Sequence, residues 1–461
     1  MKKVVLFFLL LSTGTVIPAQ KVADRLEKAW NQFAGDSQLK YAMLSLYVVD
    51  ARTGAVVFDR NSRTGLAPAS TQKIITSITS FELLGKDYRY QTRLGYSGKL
   101  EKAVLKGRVY VSGSGDPSFG SWRWPQTKEK SIIDSFVLQI KKAGIRDMTE
   151  TVMLFPEKAD PVLVPDGWIY QDIGNYYGAG AGLLNWRENQ FDVFLRSGTK
   201  TGDPVTIVKT EPRLYEGSYI SYVTSAAKGT GDNAWIYTQP RLIKGTIPVN
   251  ETAFKISGAI LQPAGQFIKG LADTLLASGV DLNSPSLQKQ PSDTGTVNWI
   301  YTHYSPPLDS LIWWFNQKSI NLYGEALIKT VSREQNGQAS TDSGLAILRR
   351  FWKEKGIDPD ELNLYDGSGL SPLNRVTTHA QVSILQFARN RPWFPSFFAS
   401  LPVYNGMKMK SGTISDVKGF CGYHTARDGR EFIFSLLVNN YSGRASQLVN
   451  KMYILLDELK K

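Results

Sequence analysis

The fold class this sequence predicts is α+β: an antiparallel sheet with helices on both faces, carrying a large, mostly-β insertion. Three observations predict it. Residues 41–59 alternate apolar and polar side chains around a turn, and a run with helical apolar spacing follows (Ile74, Ile75, Ile78, Phe81, Leu84). The chain closes with the same pair of elements, a hairpin over 417–438 and an amphipathic helix over 445–460. Between them the texture changes to short β-rich runs separated by Gly, Pro, Ser and Thr.

Strict alternation marks a half-buried strand, and apolar recurrence at three and four residues marks a helix face. Residues 41–49 fit the first rule, turn at Asp50-Ala51-Arg52-Thr53-Gly54, and continue as a strand over 55–59. Gly85 stops the helix that follows. The runs 103–112, 151–155, 192–196, 205–209, 219–224 and 252–260 read as strands of the insertion. Residues 308–330 read as one helix, His379 opens another to residue 388, and Asp428-Gly429 turns the late hairpin. Early and late segments thus build one domain together, with about 210 residues inserted between them.

Length and composition allow two or three domains: 461 residues, 42% hydrophobic and 21% charged. Residues 1–19 have the make-up of a secretory signal, with Lys2 and Lys3, an apolar stretch over 4–11 and Ala19 before the cut, although Ile17 is large for its position. The apolar stretch is too short for a membrane span, so the mature chain is expected to carry no transmembrane segment. A single cysteine, Cys421, excludes an internal disulfide and reads as a core thiol. The formal charge of +13 comes from scattered Lys and Arg, a pattern that argues against nucleic acid and fits anionic envelope polymers or lipid surfaces. His303, His379 and His424 share no metal-ligand spacing, so neither a metal nor another cofactor is expected.

With three histidines, a serine enzyme must find its base elsewhere. Ser70-Thr71-Gln72-Lys73 opens the helical run, and residues three apart share a helix face. Such a pair can activate a serine through an amine. Ser-x-x-Lys recurs at Ser37, Ser197, Ser225, Ser286 and Ser415, so context singles out Ser70. Ser319-Ile320-Asn321 follows inside the 308–330 helical stretch, then Lys410-Ser411-Gly412-Thr413 ahead of two strand-like runs. A nucleophilic serine, Ser-x-Asn and Lys-[Ser/Thr]-Gly, in that order, form the signature set of penicillin-interacting serine enzymes.

On these motifs the chain resembles the serine-type D-alanyl-D-alanine carboxypeptidase/endopeptidase family, the class C low-molecular-mass penicillin-binding proteins. Three further segments carry the resemblance: Gly113-Ser114-Gly115-Asp116-Pro117; the region 168–178 with Trp168, Asp172 and Tyr177-Gly178; and Asp366-Gly367-Ser368-Gly369-Leu370-Ser371 with Asn374-Arg375-Val376. The resemblance implies a penicillin-binding transpeptidase-like domain over 20–85 and 300–461. A β-rich domain over 86–160 and 245–299 would be inserted in it, with a second nested over 161–244. It also implies an exported, periplasmic or envelope enzyme that acts on peptidoglycan stem peptides and is acylated by β-lactams.

The expected roles follow from chemistry and resemblance together. Ser70 is the nucleophile and Lys73 its base, the latter requiring burial and a second cation, Lys410, to lower its proton affinity. Ser319 relays a proton to the leaving nitrogen, and Asn321 holds Lys73 through its carbonyl and the substrate amide through its NH₂. Lys410 and Ser411 grip the substrate carboxylate. The amides of Ser70 and Thr413 form the oxyanion site, and Gly412 lets the substrate backbone lie against its strand. Asp172, Tyr177 and Arg375 are expected to line the peptide-stem pocket. Departures from the family pattern are slight, Ser411 for the commoner Thr and Ile320 for Asp.

Two patterns read as decoys. Lys200-Thr201-Gly202 precedes Ser319 and reads as a surface turn, and Glu361 with Asn363 lacks the spacing of a deacylating pair. The competing functions are a serine β-lactamase, for which no deacylation base is evident, and a non-catalytic wall-binding protein on the same scaffold.

Overall fold

The computed structural model describes residues 18–282 and 295–461; the expected signal core lies outside the described residues. A six-stranded antiparallel sheet runs in the order Val403–Tyr404, Met407–Ile414, Val417–Thr425, Glu431–Asn439, Met43–Asp50, Val56–Arg60. The early and late hairpins join along the Met43–Asp50 and Glu431–Asn439 ladder, where Tyr47 faces Ser435.

Period-two alternation sends successive side chains to opposite faces. Leu46, Val48, Phe434, Leu436 and Val438 pack against the helices Pro18–Ala34 and Ala445–Leu456. The first of these helices was not anticipated, yet Val22, Leu26, Trp30 and Phe33 give it a clear apolar stripe. Tyr47, Val49, Cys421 and Ile433 point the other way, into a core built with Lys73–Leu84, Leu308–Lys318, Asn321–Asn336, Thr341–Glu354 and Thr378–Ala388.

Lys73–Leu84 is surrounded on all sides. Every residue from Lys73 to Phe81 is buried, polar ones included. Buried hydroxyls need partners: Thr76 Oγ1 donates to Gly367 O (2.6 Å) and Thr79 Oγ1 accepts from Trp352 Nε1 (2.9 Å). The helix ends at Gly85, φ 83°.

The single helix expected over 308–330 is two. Leu308–Lys318 stops at Ser319, whose φ of 56° and ψ of 41° are left-handed, and Asn321–Asn336 begins two residues later. A left-handed residue cannot continue the i→i−4 ladder, and apolar periodicity on both sides of the break hides it from a pattern reading.

In the insertion, Val104–Gly113 and Gln91–Glu101 form the centre of a sheet with Asn298–Tyr304 and the short Asp147–Met148 and Asp281–Leu282. Val152–Leu154 pairs beside Val104–Gly113. Two unanticipated helices cover this sheet, Glu129–Lys142 and Pro263–Ala277, with Phe136, Ile140, Phe267 and Leu271 in its core. Two three-stranded sheets follow, Asn233–Thr238, Arg241–Pro248, Ile220–Ala226 and Phe254–Ala259, Gln190–Arg196, Thr206–Glu211. They share the core of Val193, Val223, Ile236, Ile243 and Ile256. Their ladders reach Ala259, past the nested boundary expected at 244. None of the described helices is long and apolar enough to cross a membrane.

Candidate active site

Ser70 lies in a tight turn, Ala69–Gln72, at the mouth of the buried helix. The turn is strained: Ala69 has φ 47°, a left-handed conformation costing a residue with a Cβ ~1–2 kcal/mol. Packing holds it there. Gly369 presses on Ala69, since a Cβ at Gly369 would come within 2.0 Å of Ala69 O. Thr71 Oγ1 donates to Pro68 O (2.6 Å) and accepts from Gln381 Nε2 (2.8 Å), whose Oε1 accepts from Ser435 on the sheet (2.6 Å).

Lys73 is fully buried. Its Nζ lies 2.8 Å from Ser70 Oγ, 2.7 Å from Asn321 Oδ1 and 2.7 Å from Ser368 O. Burial first, then the charge of Lys410, holds its proton affinity well below the ordinary lysine range, against the opposing pull of Asp366 and Glu325. An uncharged amine has two N–H donors and one lone pair. Asn321 Oδ1 and Ser368 O take the donors, leaving the lone pair for the Ser70 proton. The three contacts therefore leave the amine aimed at one hydroxyl, the arrangement a general base requires.

The left-handed Ser319 accepts a 3.0 Å hydrogen bond at Oγ from Lys410 Nζ, which also donates to Ser411 O at 2.8 Å. Lys410 is buried, and burial brings its pKa down to about 7. Cys421 sits opposite it in the ladder, buried as expected, with its thiol pushed up to about 12 by burial.

Gly412 has a different reason to be bare than the one expected. A Cβ there would lie 2.6 Å from Pro68 O, 2.8 Å from Thr71 N and 2.9 Å from Ser70 N. The glycine lets the strand Met407–Ile414 close onto the Ser70 turn itself. Among the described residues, Val403–Tyr404 covers this strand's outer edge only at Met407 and Lys408, so Lys410–Thr413 pair with a strand on one side alone. Thr413 is exposed, its hydroxyl accepting from Lys418 Nζ at 2.6 Å.

Asn321 also departs from expectation. One of its N–H groups donates to the Tyr177 carbonyl (2.8 Å), which brings the insertion onto the site. The Tyr177 side chain lies near the Asp172 carboxylate, and burial raises the proton affinity of both groups. Arg375 does not join them: its exposed guanidinium donates to Pro372 O and Asn374 O of its own loop.

The segment around Asp366 belongs to the site's framework, which the sequence reading treated only as a marker. Asp366 Oδ1 accepts from Gln72 Nε2, Gly369 N and Asn374 Nδ2, and Oδ2 from Trp168 Nε1 and Ser371 N. This knot ties the Ser70 turn, the Ser368 carbonyl and the insertion together. Glu325, one turn after Asn321, is fully buried and was missed altogether. The spacing Asn321, Glu325, Lys329 within an apolar helix was the available signal.

The decoys resolve structurally. Glu361 is held by Arg63, Thr377 and His379, and residues 200–202 are an exposed turn.

Comparison with known proteins gives the family and the fold. The model of the D-Ala-D-Ala carboxypeptidase 3 (S13) family matches residues 26–458. The D-alanyl-D-alanine carboxypeptidase of Actinomadura sp. strain R39 is 25% identical over 440 residues, covering 89% of this chain and 80% of the relative. The D-alanyl-D-alanine carboxypeptidase DacB of Haemophilus influenzae is 23% identical over 84% of this chain and 83% of its own. A crystal structure of penicillin-binding protein 4 (dacB) from that organism covers 96% of this chain and all of its own, with TM-score 0.79 and 21% identity. The same protein is also known complexed with a β-lactam. With the model matching nearly the whole chain, this protein belongs to the D-Ala-D-Ala carboxypeptidase 3 (S13) family.

Proposed function

We propose that the chain is an exported serine D,D-peptidase that cleaves D-Ala-D-Ala termini or cross-links of peptidoglycan through an acyl-Ser70 intermediate. The observation that carries the reading is the buried Lys73 amine, 2.8 Å from Ser70 Oγ and lowered in proton affinity. In the first step Lys73 takes the Ser70 proton while Oγ bonds to the carbonyl carbon of the penultimate D-Ala. The amides of Ser70 and Thr413 receive the oxyanion; one such donor is worth ~2.7–4 kcal/mol of barrier. The C–N bond then breaks, and the leaving nitrogen takes its proton through Ser319. Water hydrolyses the ester and returns a proton to Ser70.

The open edge at Lys410–Thr413 suits an extended peptide added as a further strand, with protonated Lys410 and Ser411 on its terminal carboxylate. The Tyr177 carbonyl accepts from Asn321 Nδ2, which supports Tyr177 and the nearby Asp172 as residues that contact the stem. A β-lactam would acylate Ser70 by the same step, and its tethered leaving group would obstruct water. Residues 1–19 support export to the periplasm or another envelope compartment.

The test incubates purified protein with a D-Ala-D-Ala pentapeptide and with cross-linked muropeptide dimers, resolving products by mass. Free D-alanine or monomers, lost in Ser70→Ala and Lys73→Met, are expected. Steady turnover of a chromogenic cephalosporin without peptide cleavage would replace the reading with a β-lactamase.

A further inference from the structure

The Ser368 carbonyl is one of the two acceptors that orient Lys73, and it sits in a loop with no helix or strand of its own. What holds it is visible one residue earlier. Gly367 N donates to Glu325 Oε2 at 3.0 Å, and Gly367 O accepts from Thr76 Oγ1 at 2.6 Å. The amide and the carbonyl of Gly367, which belong to successive peptide units, are both pinned, and this restrains the direction of the next carbonyl. The contact is also close in space: a Cβ on Gly367 would come within 2.3 Å of Gly324 O, and one on Gly324 within 2.9 Å of Gly367 O. Helix Asn321–Asn336 therefore sends two side chains to the amine. Asn321 touches it directly, and Glu325, one turn on, reaches it through the Gly367 amide and the Ser368 carbonyl that follows.

We propose that Glu325 is a positioning residue for the Lys73 amine, acting by holding the Ser368 carbonyl on Nζ. The inference rests on the reading of Lys73 as the base. It has a charge side too. Glu325 is faced by Lys73 from the nucleophile helix, by Asp366 from the loop, and by Lys329 on its own helix. Burial, with the Asp366 carboxylate, raises its pKa to about 8, so at neutral pH it is an uncharged acid. An ionised Glu325 would favour the ammonium form of Lys73 and disable the base. A glutamine keeps an acceptor for the Gly367 amide and cannot ionise; an alanine keeps neither.

The experiment measures the first-order acylation rate and the binding constant for a fluorescent penicillin from pH 5 to 10, with thermal melting as a check on folding. In Glu325→Ala the acylation rate is expected to fall ten- to a hundredfold with penicillin binding unchanged. Glu325→Gln is expected to restore most of that rate near pH 7 and to exceed the native enzyme above pH 8. Wild-type acylation rate and pH profile in a folded E325A protein would overturn the proposal. So would equal losses in E325A and E325Q with no change in the profile, which mark a merely structural role. Lys73→Met in the same assay separates the two readings: if it acylates normally, the assignment of the base fails first.

Discussion

Replacing Lys410 by methionine is expected to abolish peptidase activity while making the protein more stable at neutral pH. In the fold Lys410 loses its proton near pH 7, whereas an unfolded lysine does so near ~10.4. Between these values the unfolded chain holds the extra proton, so stability rises with pH across that window and the full penalty applies below it. At ~1.36 kcal/mol per pH unit, the gap corresponds to roughly 4–5 kcal/mol. Methionine fills a similar volume without charge but forfeits the bonds to Ser319 Oγ and Ser411 O, worth about 1 kcal/mol each. A net gain of about 2–3 kcal/mol at pH 7 follows, on the order of 2–5 °C in melting temperature. Thermal unfolding of both proteins at pH 6, 7.5 and 9.5 is the assay. The advantage of Lys410→Met should shrink steadily toward the alkaline end. A variant that melts below the native protein at every pH, or by a pH-independent margin, would refute the claim that this ammonium is held in place at a cost.

Three further outcomes are expected. Gly412→Ala must displace the strand from the Ser70 turn, whose backbone atoms lie 2.6–2.9 Å from the new Cβ. An acylation rate about 10²-fold lower and a loss of ~1–3 kcal/mol in denaturant unfolding should follow. Asp366→Asn points an NH₂ at N–H groups that now share a carboxylate; a loss of about 1–3 kcal/mol per misdirected donor is expected in the same measurement. Because Lys410 discharges near pH 7 in the free enzyme, kcat/KM for a peptide with a free carboxy terminus should decline above that pH. Amidating the terminus should remove the decline.

Much of this site could be read from the chain. Ser70 and Lys73 are three residues apart on a local element, so helix geometry alone brings hydroxyl and amine together. Alternation in 41–59 and 417–438 located the sheet because one-dimensional pattern and burial share a period there. The break at Ser319 escaped the same logic: a single left-handed residue leaves no trace in apolar periodicity. The helices Glu129–Lys142 and Pro263–Ala277 were overlooked among turn-rich neighbours, although their stripes are ordinary.

Order and identity of the motifs, the family they point to, and the proximity of the Ser70 hydroxyl to the Lys73 amine were determined by the sequence itself. Only the tertiary structure decided that Gly412 is bare for the sake of the Ser70 turn, that Asn321 spends an N–H on Tyr177, and that Arg375 turns back on its own loop. It alone revealed Asp366 and Glu325 beneath the amine. The physical reason is separation along the chain. A contact between residues hundreds of positions apart depends on how whole elements dock, and a buried group's proton affinity depends on every charge and dipole that docking brings near it.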